Sequence, residues 1–186
     1  MMDRMKLMKA HALLAAFIFP AAIMFMVTGA LYTWSVKGGY KNDVYEVKLS
    51  KPVQSNLSEL INLAQLELDD LVIEYPEGQP KLKAYGSHFL LEWTGSSKDV
   101  VLEPTEDPLI AKLTVKRTDW YRSLVQLHKA KGGIAFKFYA VVLAISIVAL
   151  LVSGFIMAWQ TPKLKRVTLI TSFAGLFSFF VFVFLS

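Results

Sequence analysis

The sequence predicts an α+β membrane protein with three transmembrane helices and one small domain outside the bilayer, built from one helix on an antiparallel sheet. Three runs of 19 to 22 residues carry no charged side chain, at residues 13–34, 138–159 and 167–185. At about 1.5 Å of helical rise per residue, each run can cross a hydrocarbon core of roughly 30 Å. Hydrophobic residues make up 54% of the 186 residues, more than a soluble domain of this size needs.

The first apolar run predicts a retained membrane anchor. A cleaved signal peptide also begins with basic residues, but its apolar region is about 7 to 15 residues long and ends in small residues. This run ends instead in Leu31, Tyr32, Thr33 and Trp34. Pro20 lies near its middle, where we expect a harmless bend in the helix whose free carbonyl a neighbouring helix covers.

The flanking charges predict the orientation. Three cations precede the first run and three separate the second from the third, whereas residues 35–137 contain 14 Lys or Arg and 14 Asp or Glu. The positive-inside rule therefore places the amino terminus in the cytoplasm and the long loop on the outer side of the bilayer. The net charge of +5 is a topology signal and does not indicate nucleic-acid binding.

The long loop predicts one folded domain. Residues 42–49 alternate as a strand, and Asn56 can cap a helix with Glu59 three residues on. At roughly 75 residues such a domain is marginal alone, so we expect it to pack on the membrane helices or on a second copy. Further strands are predicted at residues 71–75, 81–85, 88–93, 98–103 and 109–116.

These features divide the chain into four parts. They are a cytoplasmic flank with the first membrane helix, the outer domain, an amphipathic lead-in with the second membrane helix, and a basic connector with the third. Their predicted bounds are residues 1–36, 37–118, 119–160 and 161–186.

The chemistry open to this chain is narrow. It has no cysteine, which excludes disulfides, thiolate metal sites, iron–sulfur clusters and covalent attachment of c-type haem. It also lacks nucleotide-binding glycine loops, the zinc-protease motif and the nucleophile elbow. Any haem must be held without covalent bonds, and the histidines are His11, His88 and His128.

His128 is the strongest candidate for a functional residue. It lies just before the second apolar run, on what we predict to be the same helix, and an ionisable group so close to a span is a candidate by default. The alternative is an interfacial histidine that bonds to water or a lipid headgroup. On a continuous helix Lys131 and Gly132 share its face, which leaves room for a flat ring against the backbone.

Short motifs also follow one another in a characteristic order. They are His11, Thr28-Gly29, Leu127-His128, Gly132-Gly133, and Ser153-Gly154 before Trp159. With the outer domain, which is similar to a PepSY module, this order resembles the PepSY-associated transmembrane proteins of bacterial inner membranes. That family includes four-helix ferric-siderophore reductases with b-type haem on helix histidines, and shorter VciB-type proteins that promote ferrous iron uptake. The chain is similar to the shorter kind, although it reads Glu-Pro-Thr-Glu-Asp at 103–107 where the family shows Asp-Pro-x-Thr-Gly.

The resemblance implies an inner-membrane haem b ferric reductase that delivers electrons to a periplasmic ferric iron complex and supports a ferrous iron transporter. His128 and His11 are the expected axial ligands. Gly132 is expected to face the macrocycle, and Arg122 and Lys131 its propionates. The alternative is a non-catalytic, membrane-anchored module that binds a periplasmic peptide, protease or transporter.

The two axial candidates predict a homodimer. His11 and His128 are expected at opposite faces of the bilayer, roughly 30 Å apart, whereas two axial nitrogens on one iron lie about 4 Å apart. Each histidine would therefore pair with its twin across a two-fold axis, or with a methionine such as Met157 for His11. We expect the two-fold arrangement because it needs no further residue.

Two other candidates are expected to be ordinary surface features. His88 opens a predicted strand, where an exposed histidine is usual. Glu103, Glu106 and Asp107 form the densest acidic cluster of the loop and could receive ferric iron, but a solvated turn is the interpretation we prefer.

Overall fold

The computed structural model describes residues 3–86 and 88–186. The helices and strands follow the order that the sequence predicts, except that residues 71–75 form no strand and a short extra helix precedes the second span. In chain order they are α1 (Arg4–Thr33), β1 (Tyr40–Lys48), α2 (Leu57–Asp70), β2 (Pro80–Tyr85), β3 (His88–Thr94), β4 (Lys98–Pro104), β5 (Ile110–Thr118), α3 (Trp120–His128), α4 (Ile134–Trp159) and α5 (Pro162–Leu185).

Three of these helices are long and apolar enough to cross a membrane, which confirms the three predicted spans. They are α1, α4 and α5, with 30, 26 and 24 residues. Pro20 lies inside α1, where it removes one backbone donor. Pro162 opens α5, a position where the fixed φ of proline suits the first turn.

The chain packs as two units, one formed by residues 23–140 and the other by the rest of the described chain. The first unit contains a five-stranded antiparallel sheet in the order β1-β5-β4-β3-β2. Because β5 lies between β1 and β4, the first and last strands of the sheet in chain order are neighbours, and Tyr40 of β1 pairs with Thr118 of β5. The end of α1 and the start of α3 therefore connect to the same end of the sheet.

One face of the sheet is covered by α2, as predicted. Leu60, Ala64 and Leu68 are fully buried on one side of this helix. Alternate strand residues complete the core: Val47, Leu91, Trp93, Val100, Leu102, Ala111, Leu113 and Val115. The predicted architecture of one helix on an antiparallel sheet is confirmed.

The predicted cap of α2 is present. The Asn56 side chain accepts hydrogen bonds from the backbone N–H groups of Ser58 and Glu59, at 3.0 and 3.3 Å. The Glu59 carboxylate forms an ion pair with Lys51 at 2.7 Å. Asn56 therefore caps α2 at the position that the sequence predicts.

The strand predicted at residues 71–75 is wrong. The N–H of Ile73 bonds to the carbonyl of Leu68 and that of Val72 to Asp69, which is the Schellman end of a helix. Val72 takes the left-handed conformation usually held by glycine, with a φ of 54°. The apolar residues there end α2 instead of starting a strand, and Ile73 returns to the core.

The single helix predicted through His128 into the second span is also wrong. α3 ends at His128, and a second Schellman motif follows, in which Lys131 N–H bonds to the Gln126 carbonyl and Ala130 N–H to that of Leu127. Ala130 has a φ of 56°. α4 begins only at Ile134, so Lys131 and Gly132 do not share a helical face with His128.

Replacing Val72 with glycine is expected to stabilise the domain formed by α2 and the sheet by about 0.5 to 1 kcal/mol. The left-handed conformation costs a β-branched residue roughly 1 to 2 kcal/mol, which exceeds the entropy cost of glycine. Val72 is 92% exposed, so little packing is lost. Denaturant unfolding in detergent measures the change, with Val44→Gly in β1 as the control that should destabilise. A lower stability for Val72→Gly would show that the valine side chain contributes more than its backbone costs.

Candidate functional site

His128 is the last residue of α3, a helix that Asp119 holds in place at its amino-terminal end. Asp119 caps the helix through Arg122 N–H and also accepts from Gly39 N–H at 2.7 Å. These hydrogen bonds hold the pKa of the Asp119 carboxyl below its usual range. α3 is thereby fixed to the segment that joins α1 to β1.

The His128 ring contacts a hydroxyl on α1. Its Nδ1 lies 3.0 Å from Thr28 Oγ1, and Thr28 is 2% exposed. The Thr28 hydroxyl hydrogen is directed to the Met24 carbonyl at 2.6 Å, so Oγ1 is left to accept from His128 Nδ1–H. In a neutral ring this arrangement favours the tautomer in which Nε2 carries the lone pair, the form in which imidazole binds a metal.

A glycine gives the ring its space. A Cβ added at Gly29 would lie 3.1 Å from His128 Cε1, so any larger residue would press on the ring. The Phe25 ring lies 5.1 Å from the imidazole, centroid to centroid, and stacks on Phe136 at 6.3 Å. Thr28, Gly29 and Phe25 of α1 thus form the immediate surroundings of His128.

Gly132 lies against side chains of α3 and α4 and not against the His128 ring. A Cβ at Gly132 would meet Leu127 Cδ2 at 2.9 Å and Phe136 Cβ at 3.0 Å. Its lack of a side chain lets α3 and the start of α4 approach each other. The glycine that contacts His128 is Gly29.

His11 has the same kind of surroundings in the other unit. Its Nδ1 lies 2.8 Å from Ser153 Oγ, and the Ser153 hydroxyl donates to the Leu150 carbonyl at 3.1 Å. A Cβ at Gly154 would lie 3.7 Å from His11 Cε1. Each histidine therefore meets a hydroxyl followed by a glycine on another helix, and neither Nε2 has a hydrogen-bond partner among the described residues. Met157 lies one turn beyond Ser153 on α4.

Arg122 and Lys131 contact a buried carboxylate network. Arg122 donates to the Tyr40 hydroxyl at 2.8 Å, and Lys131 Nζ lies 3.7 Å from Asp99. Asp99 is 6% exposed and accepts from the Tyr40 hydroxyl at 2.8 Å and from Gln126 Nε2 at 3.0 Å. Both cations predicted to hold propionates are thus already engaged with Asp99 or Tyr40.

Sequence reasoning missed the network because its members are far apart in the chain. Burial raises the pKa of the Tyr40 hydroxyl to about 12, the bond to Asp99 adds to the rise, and the bond from Arg122 opposes it. Burial also lowers the pKa of Lys131, against the attraction of Asp99. Gln126, two residues before His128, is the feature of the sequence that could have indicated this network.

Tyr40 predicts a loss of stability in strong base. Tyrosine in the unfolded chain ionises near pH 10, whereas folded Tyr40 keeps its proton until about pH 12. The stability that the neutral phenol provides is therefore complete below pH 10 and is lost as the pH rises to about 12. Unfolding of the wild type and Tyr40→Phe at pH 9 and 11 measures this contribution. The stability difference should shrink at pH 11, and a constant difference would exclude the role of Tyr40.

The remaining candidates lie on the surface. His88 is exposed at the start of β3, opposite Tyr85. Glu103 pairs with Lys112 at 2.8 Å, and Asp107 accepts from Leu109 N–H in the turn before β5. Within residues 3–86 and 88–186, no group of three or more His, Cys, Asp or Glu could hold a metal ion. The structure thus offers isolated imidazoles and no multi-residue metal cluster in the part it describes.

Comparison with known proteins agrees with this organisation. The family model described as PepSY-associated TM region matches residues 2–161. The chain belongs to this family. No curated protein and no solved structure matches it. The matched range contains all three histidines and both hydroxyl–glycine pairs. The match confirms the predicted resemblance to the PepSY-associated transmembrane family.

Proposed function

We propose that this PepSY-associated protein is a haem b ferric reductase of the shorter, VciB-type kind in the bacterial inner membrane. It transfers electrons to ferric iron in the periplasm and thereby supplies a ferrous iron transporter. The observation that carries the proposal is the free Nε2 of His128, left available by the hydrogen bond of Nδ1–H to Thr28.

The surroundings of His128 fit a haem. Its Nδ1 is hydrogen-bonded to a second residue, Thr28, which orients the ring, as is usual for metal-bound histidines. Gly29 and Phe25 give a side-chain-free position and an apolar ring beside it. When bound, a haem supplies one-electron transfer at a potential set by the ligand and its hydrogen bonds. The chain itself contributes the axial nitrogen, its tautomer and its orientation.

His11 fits a second haem for the same reason, because Ser153 accepts its Nδ1–H.

Lys129, whose ammonium lies 5.5 Å from the centre of the Tyr32 ring, is a further cation in the segment just after His128. Unlike Arg122 and Lys131 it is exposed, so it is the better partner for a propionate.

The proposal includes a homodimer, because each site offers one imidazole nitrogen and a six-coordinate iron needs two axial ligands. A two-fold axis would supply the second from the partner chain without any new residue. Mass measurement of particles in nanodiscs should give two chains. A single chain with a full complement of haem would remove the shared-ligand arrangement and point to Met157 or a similar ligand for His11.

The orientation is proposed from the charges that flank the spans. The amino terminus is cytoplasmic, the domain between α1 and α3 is periplasmic, and the carboxyl terminus is periplasmic. A reporter active only in the cytoplasm, fused after Ser186, should therefore be silent. An active reporter would contradict either the orientation or the crossing of α5.

The reaction can be tested directly on the purified protein. It is reduced anaerobically, excess reductant is removed, and ferric citrate is added while the reduced haem bands and a ferrous chelator are followed. The bands should disappear as the ferrous complex forms. Bands that persist without ferrous iron, or the absence of haem bands after expression with ample haem, would exclude the reductase.

A binding role is the second candidate, favoured by the sheet face that α2 leaves uncovered. A shallow groove of about 430 Å³ crosses it, and Val44 and Tyr85 there are 57% and 63% exposed. Such a face could bind an extended peptide, which would make the helices an anchor. Purified protein that never acquires haem bands would favour this function.

A further inference from the structure

Three helices of the unit formed by residues 23–140 end in the same way. In α1, α2 and α3 a Schellman motif is closed by two backbone hydrogen bonds around a residue with positive φ, namely Ser35, Val72 and Ala130. Such motifs are usually accompanied by an apolar contact between the residue that supplies the first carbonyl and the residue that closes the motif.

The first two motifs have apolar residues at these two positions and the third does not. The closing pair is Leu31 with Val36 after α1, and Leu68 with Ile73 after α2. After α3 the corresponding pair is Gln126 with Lys131, so two polar side chains occupy positions that are normally apolar. His128 lies between them.

Both members of this polar pair contact the same carboxylate. Gln126 Nε2 donates to the two oxygens of Asp99 at 3.2 and 3.0 Å, and Lys131 Nζ lies 3.7 Å from Asp99. Asp99 is 6% exposed and Gln126 fully buried. Asp99 lies on β4, so a strand of the sheet holds the chain reversal that carries His128.

Closing a helix end with a buried carboxylate carries a large desolvation penalty. Removing a charge from water costs several kcal/mol before its partners compensate, and an apolar pair of similar volume is often at least as stable. The ends of α1 and α2 show that this fold can close a helix with an apolar pair. The polar version therefore points to a role for the link between β4 and His128.

We propose that Asp99 is a positioning residue for His128, which couples the sheet domain to the orientation of the imidazole. By holding Gln126 and Lys131, Asp99 keeps the reversal closed and the His128 ring against Thr28. A partner that displaces β4 would then alter the site at His128. The functional part of this inference rests on the proposed haem chemistry, whereas the coupling itself is a property of the fold.

The coupling is tested without depending on haem. Histidine-selective ¹⁵N labelling of the full-length protein, kept reduced so that any bound iron is ferrous, gives separate ring signals for the three histidines, assigned with His11→Ala and His88→Ala. Asp99→Asn keeps the shape of the side chain and removes its charge. The matched control is Asp43→Asn, which removes a half-exposed carboxylate of the same sheet that pairs with Arg117 at 3.0 Å.

Asp99→Asn should raise the solvent exchange rate of His128 Nδ1–H by about tenfold or more, because the charge-assisted contacts that close the reversal are weakened. The His11 signal should not change, which shows that the other histidine site is intact. Asp43→Asn should leave both signals as in the wild type. Lys131→Met, which removes only the longer contact, should raise the His128 rate by a smaller factor.

Two results would overturn the proposal. One is a His128 exchange rate in Asp99→Asn within twofold of the wild type. The other, which applies if Asp99→Asn does not fold, is an unchanged His128 rate in Lys131→Met. Failure of the haem proposal gives a different result, since the protein would then lack haem bands while the response of His128 to Asp99→Asn remained.

Discussion

Replacing His128 with alanine is expected to remove completely the haem proposed at His128, which is the outer site in the proposed orientation, and to abolish reduction of ferric citrate. In the proposed haem protein the imidazole would supply the axial nitrogen, and without it only apolar contacts such as those of Phe25 would remain to hold the macrocycle. The chain itself should stay folded, because His128 is only half-buried and Thr28 retains its bond to the Met24 carbonyl. Haem content per chain and the reduced absorption bands measure the loss.

Two matched substitutions separate this effect from general damage. His11→Ala should remove only an inner haem, which would halve the haem content and stop the supply of electrons while the outer bands remain. His88→Ala should change neither, because His88 is exposed at the start of β3. Added imidazole should restore part of the outer bands in His128→Ala, since it can occupy the space of the missing ring. Full haem content in His128→Ala would contradict the ligand assignment.

The sequence predicted the elements of the fold well where a signal is local. Charge-free runs located the three membrane helices, and alternation located β1 to β5 to within about two residues at most ends. The errors fall at helix ends closed by Schellman motifs with Val72 and Ala130, because both motifs lack the glycine that normally marks them. The sequence therefore predicts a strand at residues 71–75, where the chain leaves α2, and a single helix where the structure has α3 and α4.

The site was predictable only in part, for a related reason. Histidines and hydroxyl–glycine pairs are visible in the sequence, but which histidine meets which pair depends on helix packing. Thr28 and His128 are 100 residues apart, and His11 and Ser153 are 142 apart. Asp99 lies in a strand whose sequence predicts only a half-buried face, so nothing local marks it as the partner of Gln126. The prediction that Gly132 shares a helical face with His128 is wrong because it assumed a continuous helix.

The second large effect is expected from Thr28→Val, which keeps the shape of the side chain and removes the hydroxyl. Nδ1–H of His128 then loses its acceptor, so the ring is no longer held in the tautomer that leaves Nε2 free. Loss of such a second partner typically weakens metal binding by about 10- to 100-fold. The variant should show that decrease in haem affinity at the outer site, measured by haem titration of the reduced protein.

The remaining haem should also change its potential. An acceptor on Nδ1–H makes the imidazole a stronger electron donor and stabilises ferric iron, so its removal should shift the midpoint potential of the outer haem upward. Thr28→Ser restores an oxygen that can accept from Nδ1–H and should recover both affinity and potential. Ser153→Ala is the corresponding change beside His11 and should affect only the inner haem. Wild-type affinity and potential in Thr28→Val would mean that the orientation of His128 does not depend on this hydroxyl, and that packing against Gly29 and Phe25 is sufficient to hold the ring.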